Sequence, residues 1–269
     1  MKAYLKSQKI IVLITFLLMV GFNGLANTIP INGVTTGAVS DKYRNLFAPD
    51  PITFIIWGLI YSLLLIYTIY QIIAIKNHGG SENKELLKKI NIWFIVSSLA
   101  NAIWIVAWHY ELILFSLILI IIVIVSLIMI NWLLRKQPLD LKEKIMVKLP
   151  FSVYFGWMTV ATVANVTTFL VSIGWSGFGL SEPLWTVIVL LVALLITGMT
   201  ILFNGDIAYG LVIIWAYIGI LIKHVSATGF NGRHQGVIIT LVICLAILLA
   251  VNGYVLINRK KRQIGVENP

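Results

Sequence analysis

Pro49-Asp50-Pro51-Ile52-Thr53-Phe54-Ile55-Ile56-Trp57-Gly58-Leu59-Ile60-Tyr61 opens the second long apolar run of this chain, and it carries more than a membrane span needs. A span can be built from leucine and isoleucine alone, whereas polar side chains inside one must find partners away from water. Pro49 and Pro51 favour an extended entry and a helix that starts at Pro51, with Asp50 as its N-cap. Thr53, Trp57, Tyr61 and Thr68 follow at helical offsets, which predicts one shared face. Two further runs carry the same signature. Ser97, Asn101, Trp104 and Trp108 recur on one face of the third run, and Trp157, Ala161 and Asn165 on one face of the fifth. Ala161, small and flanked by larger groups, leaves room for a flat ligand or a close-packed helix.

The rest of the chain sets the class. It is 59% hydrophobic and only 11% charged, with a mean hydropathy of +0.96; soluble domains carry about 25% charged residues. The single cysteine, Cys244, rules out an internal disulfide and argues against a thiolate metal site. Apolar runs of about 20 residues predict eight spans, at 10–26, 51–75, 90–108, 112–134, 150–173, 184–203, 207–222 and 237–257. The seventh is short for a bilayer and could extend to Ala227 if Lys223 snorkels. The first reads as a span. A signal peptide is the alternative, but Leu25-Ala26-Asn27 is a poor cleavage site.

Sixteen of the twenty Lys and Arg fall on one side of this topology, in the N-terminus, the second and fourth loops and the tail at 259–262. Only Lys42, Arg44, Lys223 and Arg233 fall on the other. The positive-inside rule then puts both termini in the cytoplasm of a multi-pass protein, here read as a bacterial plasma-membrane protein. The net charge of +10 is thus a topology signal with some attraction to anionic lipid, and no nucleic-acid partner is expected. Trp57, Trp108, Trp157 and Trp175 fall toward the outer side, with Asn101 and Asn165 deeper, like the polar base of an aromatic cup. Trp and Tyr also form interface belts, and small residues with Asn also serve as packing glue, so a packing role stands beside the ligand reading.

At this point the chain resembles the tryptophan-rich sensory protein/translocator protein family, also called the peripheral-type benzodiazepine receptor family. The resemblance rests on Trp57 and Tyr61 behind a proline-bearing entry, Asn101 with Trp104, and Trp157, Ala161 and Asn165, in order on the second, third and fifth spans. It extends to about Ile173. It implies an all-α integral membrane protein, with a five-helix bundle over 1–173 and about three additional transmembrane helices with a basic tail over 174–269. It also implies a pocket lined or supported by those seven residues, under a lid from the first loop. The family's W-x-P-P in that loop is here Leu46-Phe47-Ala48-Pro49, so Phe47 and Pro49 stand as the lid residues.

The implied ligands are flat and hydrophobic: porphyrin or haem, with sterol ranked lower because no sterol motif follows the fifth span. No resident cofactor is expected; porphyrin or haem enters as ligand, and a second copy of the chain is a candidate partner. Within the chain, Asp206 reads as the N-cap of the seventh helix, with proton coupling as the alternative. His109, His224 and His234 fall on the outer side without a metal-ligand spacing and read as solvent-facing. No nucleophile, metalloprotease, phosphate-loop or dinucleotide motif is present, so no catalytic residue is expected. The expectation is a receptor or carrier with a sensory role. Two alternatives remain open, an ion-coupled secondary transporter and a structural or assembly protein.

Overall fold

The computed structural model describes residues 2–77 and 81–267. The side chains of Lys2, Lys6, Lys76 and residues 259–262, which enter the orientation reading, lie outside those described. The described residues form helices α1 (Lys2–Thr28), α2 (Thr36–Lys42), α3 (Ile56–Asn77), α4 (Ser81–His109) and α5 (Ile113–Arg135). There follow a single turn α6 (Leu141–Glu143), α7 (Leu149–Ser172), α8 (Glu182–Asn204), α9 (Ile207–Val225) and α10 (Gln235–Glu267). No strand occurs among the described residues. Among the described residues, eight helices are long and apolar enough to cross a membrane, and each falls on one of the eight expected runs. α9 has 19 residues and spans about 28 Å at 1.5 Å per residue, so the short seventh run is long enough once its last turn carries Lys223 and His224.

The chain divides into two compact units. One comprises residues 1–43 and 55–172, the other residues 44–54 and 173–269. In the first, α1 packs on α4, α4 on α5, α5 on α7, α7 on α3, and α3 back on α1, which closes a five-helix ring. Its core combines aliphatic and aromatic side chains. Tyr67, Phe94 and Phe151 meet edge to face with centroids 4.7 to 5.5 Å apart, a geometry that suits the ring quadrupoles. Tyr67 donates to Asn91 Oδ1 at 2.6 Å and Asn91 donates to Gln71 Oε1 at 3.3 Å, so these buried side chains tie α3 to α4, although Gln71 Nε2 makes no hydrogen bond.

In the second unit α8, α9 and α10 pack on one another. Tyr217 donates to the Leu190 carbonyl at 2.8 Å, tying α9 to α8. Gly210 lets α10 approach so closely that a Cβ there would overlap the Asn252 side chain. Between α8 and α9, Gly205 takes the left-handed conformation that ends α8, and Asp206 accepts from the Tyr209 N–H at 3.2 Å. Asp206 is thus the expected N-cap.

The predicted shared face of Thr53, Trp57, Tyr61 and Thr68 needs correction. Residues Pro51–Ile55 form a 3-10 helix, and the α-helix begins only at Ile56. With three residues per turn before that point, Thr53 falls out of register with Trp57. It packs in the second unit, whereas Trp57 and Tyr61 belong to the first. Asp50 does cap this start, accepting from the Ile52 N–H at 3.1 Å.

Candidate functional site

The seven expected pocket residues fall in the first unit, and Trp57, Tyr61, Trp157 and Asn101 are linked there in an aromatic and polar cluster through Tyr154 and direct ring contacts. Trp57 and Tyr61, one turn apart on α3, stack with centroids 5.3 Å apart. From α7, Trp157 stands edge-on to Trp57 at 6.1 Å and Tyr154 tilts toward it at 6.4 Å. On α4, Trp104 and Trp108 stack at 5.8 Å, and Trp108 donates to the Thr36 carbonyl at 3.1 Å. Four of these rings are buried; Trp57 and Tyr61 are half-buried. Ser97, Asn101, Trp104 and Trp108 are all buried, as their common spacing predicts.

Asn101 is a junction of three helices. It accepts from Asn23 Nδ2 of α1 at 2.8 Å and donates to Tyr154 Oη of α7 at 3.0 Å. Asn23 Nδ2 also reaches the Met19 carbonyl at 2.9 Å, and Tyr154 Oη lies 3.8 Å from Met19 Sδ. Asn165 of α7 pairs with Ser116 of α5 at 3.1 Å. Ala161, half-buried on α7, lies one turn from Trp157 and from Asn165. The expected residues Asn101 and Asn165 therefore serve as interhelical ties, and the sequence reading missed their partners Asn23, Tyr154 and Ser116. Asn23 offered a signal, as an amide inside the apolar first span. Tyr154 offered a weaker one, three residues before Trp157.

Among the buried polar atoms of this unit that make no hydrogen bond, two belong to the expected aromatic residues, Tyr61 Oη and Trp104 Nε1. Each is a donor set among rings, so a ligand oxygen or a water reaching either would gain a bond the protein does not make itself.

Phe47 and Pro49, expected as lid residues, are buried, and they lie in the stretch 44–54 that packs in the second unit. Three groups along α9 hold this stretch. His224 Nε2 donates to the Leu46 carbonyl at 2.9 Å, and Trp215 Nε1 donates to the Thr53 carbonyl at 3.0 Å. The Asp50 N–H donates to the Gly219 carbonyl at 3.0 Å. Gly219 has no side chain to spare: a Cβ there would overlap Thr53. Non-helical backbone near a membrane is tolerated when protein covers it and supplies such partners.

His109 and His224, expected to face solvent, are both fully buried. Each directs one ring nitrogen at a backbone carbonyl, His109 Nδ1 at Ile105 and His224 Nε2 at Leu46. His234 is half-buried, with its ring centroid 5.8 Å from that of His224. Outside the spans, Lys42 Nζ and Tyr43 Oη both bond to Glu111. These bonds hold the Glu111 carboxyl below its ordinary range, chiefly through Lys42. Burial, with Glu111 beside it, pushes the Tyr43 phenol up.

A family model described as TSPO-like protein matches residues 9–254. The match runs on past Ile173, where the resemblance carried by the motifs stops, and takes in α8, α9 and most of α10. No curated protein and no solved structure matches the chain. With eight apolar helices and a match over most of its length, the chain is a multi-pass membrane protein that belongs to the TSPO-like protein family.

Proposed function

We propose that this protein binds a flat, hydrophobic ligand of the tetrapyrrole class, porphyrin or haem ahead of sterol, on the aromatic cluster of its first unit, and acts as a membrane receptor or carrier. The family points to a membrane ligand-binding protein. The observation that carries the finer reading is the pairing of stacked, half-buried Trp57 and Tyr61 with the unbonded donors Tyr61 Oη and Trp104 Nε1. Indole faces offer area to a macrocycle, and the two donors suit its carboxylate or carbonyl substituents. Asn101 acts here as a support, because its amide is already shared between Asn23 and Tyr154. Asp206, the acid weighed for ion coupling, is engaged at the start of α9 and lends the transporter alternative no support.

The test is a titration of the full chain in detergent with protoporphyrin IX, following porphyrin fluorescence, beside Trp57→Ala and Tyr61→Phe. Saturable binding that weakens about tenfold in Trp57→Ala, a loss of about 1.4 kcal/mol, and less in Tyr61→Phe supports the reading. Linear uptake alike in all three proteins would mean partitioning into the micelle and sink it.

A further inference from the structure

We propose that His224 and His234 form a binding site for an imidazole-preferring divalent transition metal, Cu2+ or Zn2+, in the second unit. The first observation is the state of His224. A carbonyl can only accept, so the bond from Nε2 to Leu46 places the imidazole proton on Nε2 and leaves Nδ1 as a bare lone pair. That Nδ1 is buried and makes no hydrogen bond. A ring nitrogen donating to a backbone carbonyl while the other is left free is how proteins orient a metal-binding histidine.

The second observation is the neighbour. The His224 and His234 centroids are 5.8 Å apart with the rings at 77°. With metal–nitrogen bonds of about 2.0–2.1 Å, two imidazoles on one ion have centroids roughly 5–6 Å apart. The separation therefore suits a shared ion, and the half-buried His234 gives the site a solvent side.

The third observation is how the pair is held. The turn after α9 folds back on the helix end: the Phe230 N–H donates to the Lys223 carbonyl at 2.9 Å and the Gly232 N–H to the His224 carbonyl at 2.8 Å. Gly229 sits so close to the Lys223 carbonyl that a Cβ would overlap it. Phe230 packs against both imidazoles, at 4.8 and 5.6 Å. Backbone bonds thus deliver His234 to His224. Among the described residues no third His, Cys, Asp or Glu joins them, so water or an added ligand would complete the coordination. Two neutral nitrogen donors favour copper or zinc over magnesium or calcium.

The experiment is a Cu2+ titration of the tag-free full chain in lipid nanodiscs, read by electron paramagnetic resonance. Variants are His234→Ala, His224→Gln and His109→Ala. His109 is the control: it has the same buried, carbonyl-bonded form but lies in the other unit. The expected result is one saturable copper per chain with nitrogen splitting, an affinity reduced tenfold or more in His234→Ala and His224→Gln, and wild-type binding in His109→Ala. His234 is half-buried, so its variant keeps the test valid if His224→Gln fails to fold. Unsaturable uptake, wild-type affinity in His234→Ala, or an equal loss in His109→Ala would each overturn the proposal.

Discussion

The two units spend their buried polar groups differently. In the first, side chains on one helix bond side chains on another: Asn23 to Asn101 to Tyr154, Ser116 to Asn165, Tyr67 to Asn91 to Gln71. In the second, polar groups of α9 turn to backbone, with Trp215 and His224 on the carbonyls of Thr53 and Leu46, Tyr217 on that of Leu190, and the Gly219 carbonyl on the Asp50 N–H. Ties between helices fix the register of spans that hydrophobic packing alone leaves loose. Bonds to irregular backbone fix one conformation of a stretch that would otherwise leave its amides unsatisfied.

The largest effect that could break this contrast is expected at Gly219. Gly219→Ala places a methyl group on the Thr53 side chain, and overpacking of this kind costs about 1–3 kcal/mol or more. Thermal unfolding in detergent should show a clear drop in midpoint, partly restored by adding Thr53→Gly, which removes the atoms in collision. A Gly219→Ala variant as stable as the wild type would mean that α9 does not hold the stretch this closely.

A smaller effect is expected in the first unit. Asn101→Leu leaves Asn23 and Tyr154 short of a partner in an apolar setting, at a cost of roughly 1–2 kcal/mol. The sequence reading placed Asn101 among the residues that line or support a pocket, with helix packing as the other role. The structure predicts a loss of stability, and denaturation of Asn101→Leu beside Asn101→Ala measures it. Unchanged midpoints in both would return Asn101 to the role of a free pocket wall.

The smallest effect lies outside both spans and cores. Glu111, with Lys42 and Tyr43, has its carboxyl held below the ordinary range, so its contribution is present above that range. It disappears as the pH falls through the lowered value. The pair is substantially exposed, so Glu111→Gln should cost less than about 1 kcal/mol at neutral pH. The gap between variant and wild type should close in acid and narrow in high salt. A gap that widens in acid would reverse the sign.

Much of the fold was legible in the sequence. Run length and composition are local properties, and all eight spans follow from them. So does the cap at Asp206, since a carboxylate behind the Asn204-Gly205 turn has few other roles. Trp104, Asn101 and Ser97 share a face because α4 is regular through them. The failures come where spacing stops being helical or where a partner is distant in sequence. The 3-10 start at Pro51–Ile55 displaced Thr53. The bond from His224 to Leu46 joins residues 178 positions apart, and no periodicity announces it. Charge and loop position suggested exposed histidines, whereas the fold-back of residues 226–232 buries His224.

The aromatics allow the most direct test. Each unit has a tryptophan cluster: Trp57 with Tyr61 and Trp157 in the first, Trp175 with Trp185 and Phe178 in the second. Phe178 is 82% exposed, as suits an interface anchor, and among the described residues no unbonded polar atom is buried on any ring of that second cluster. The measurement is the affinity for protoporphyrin IX of Trp57→Ala beside Trp185→Ala, in nanodiscs of one lipid composition. The account predicts about tenfold weaker binding for Trp57→Ala and wild-type binding for Trp185→Ala. Equal losses in the two, or a loss only in Trp185→Ala, would contradict it.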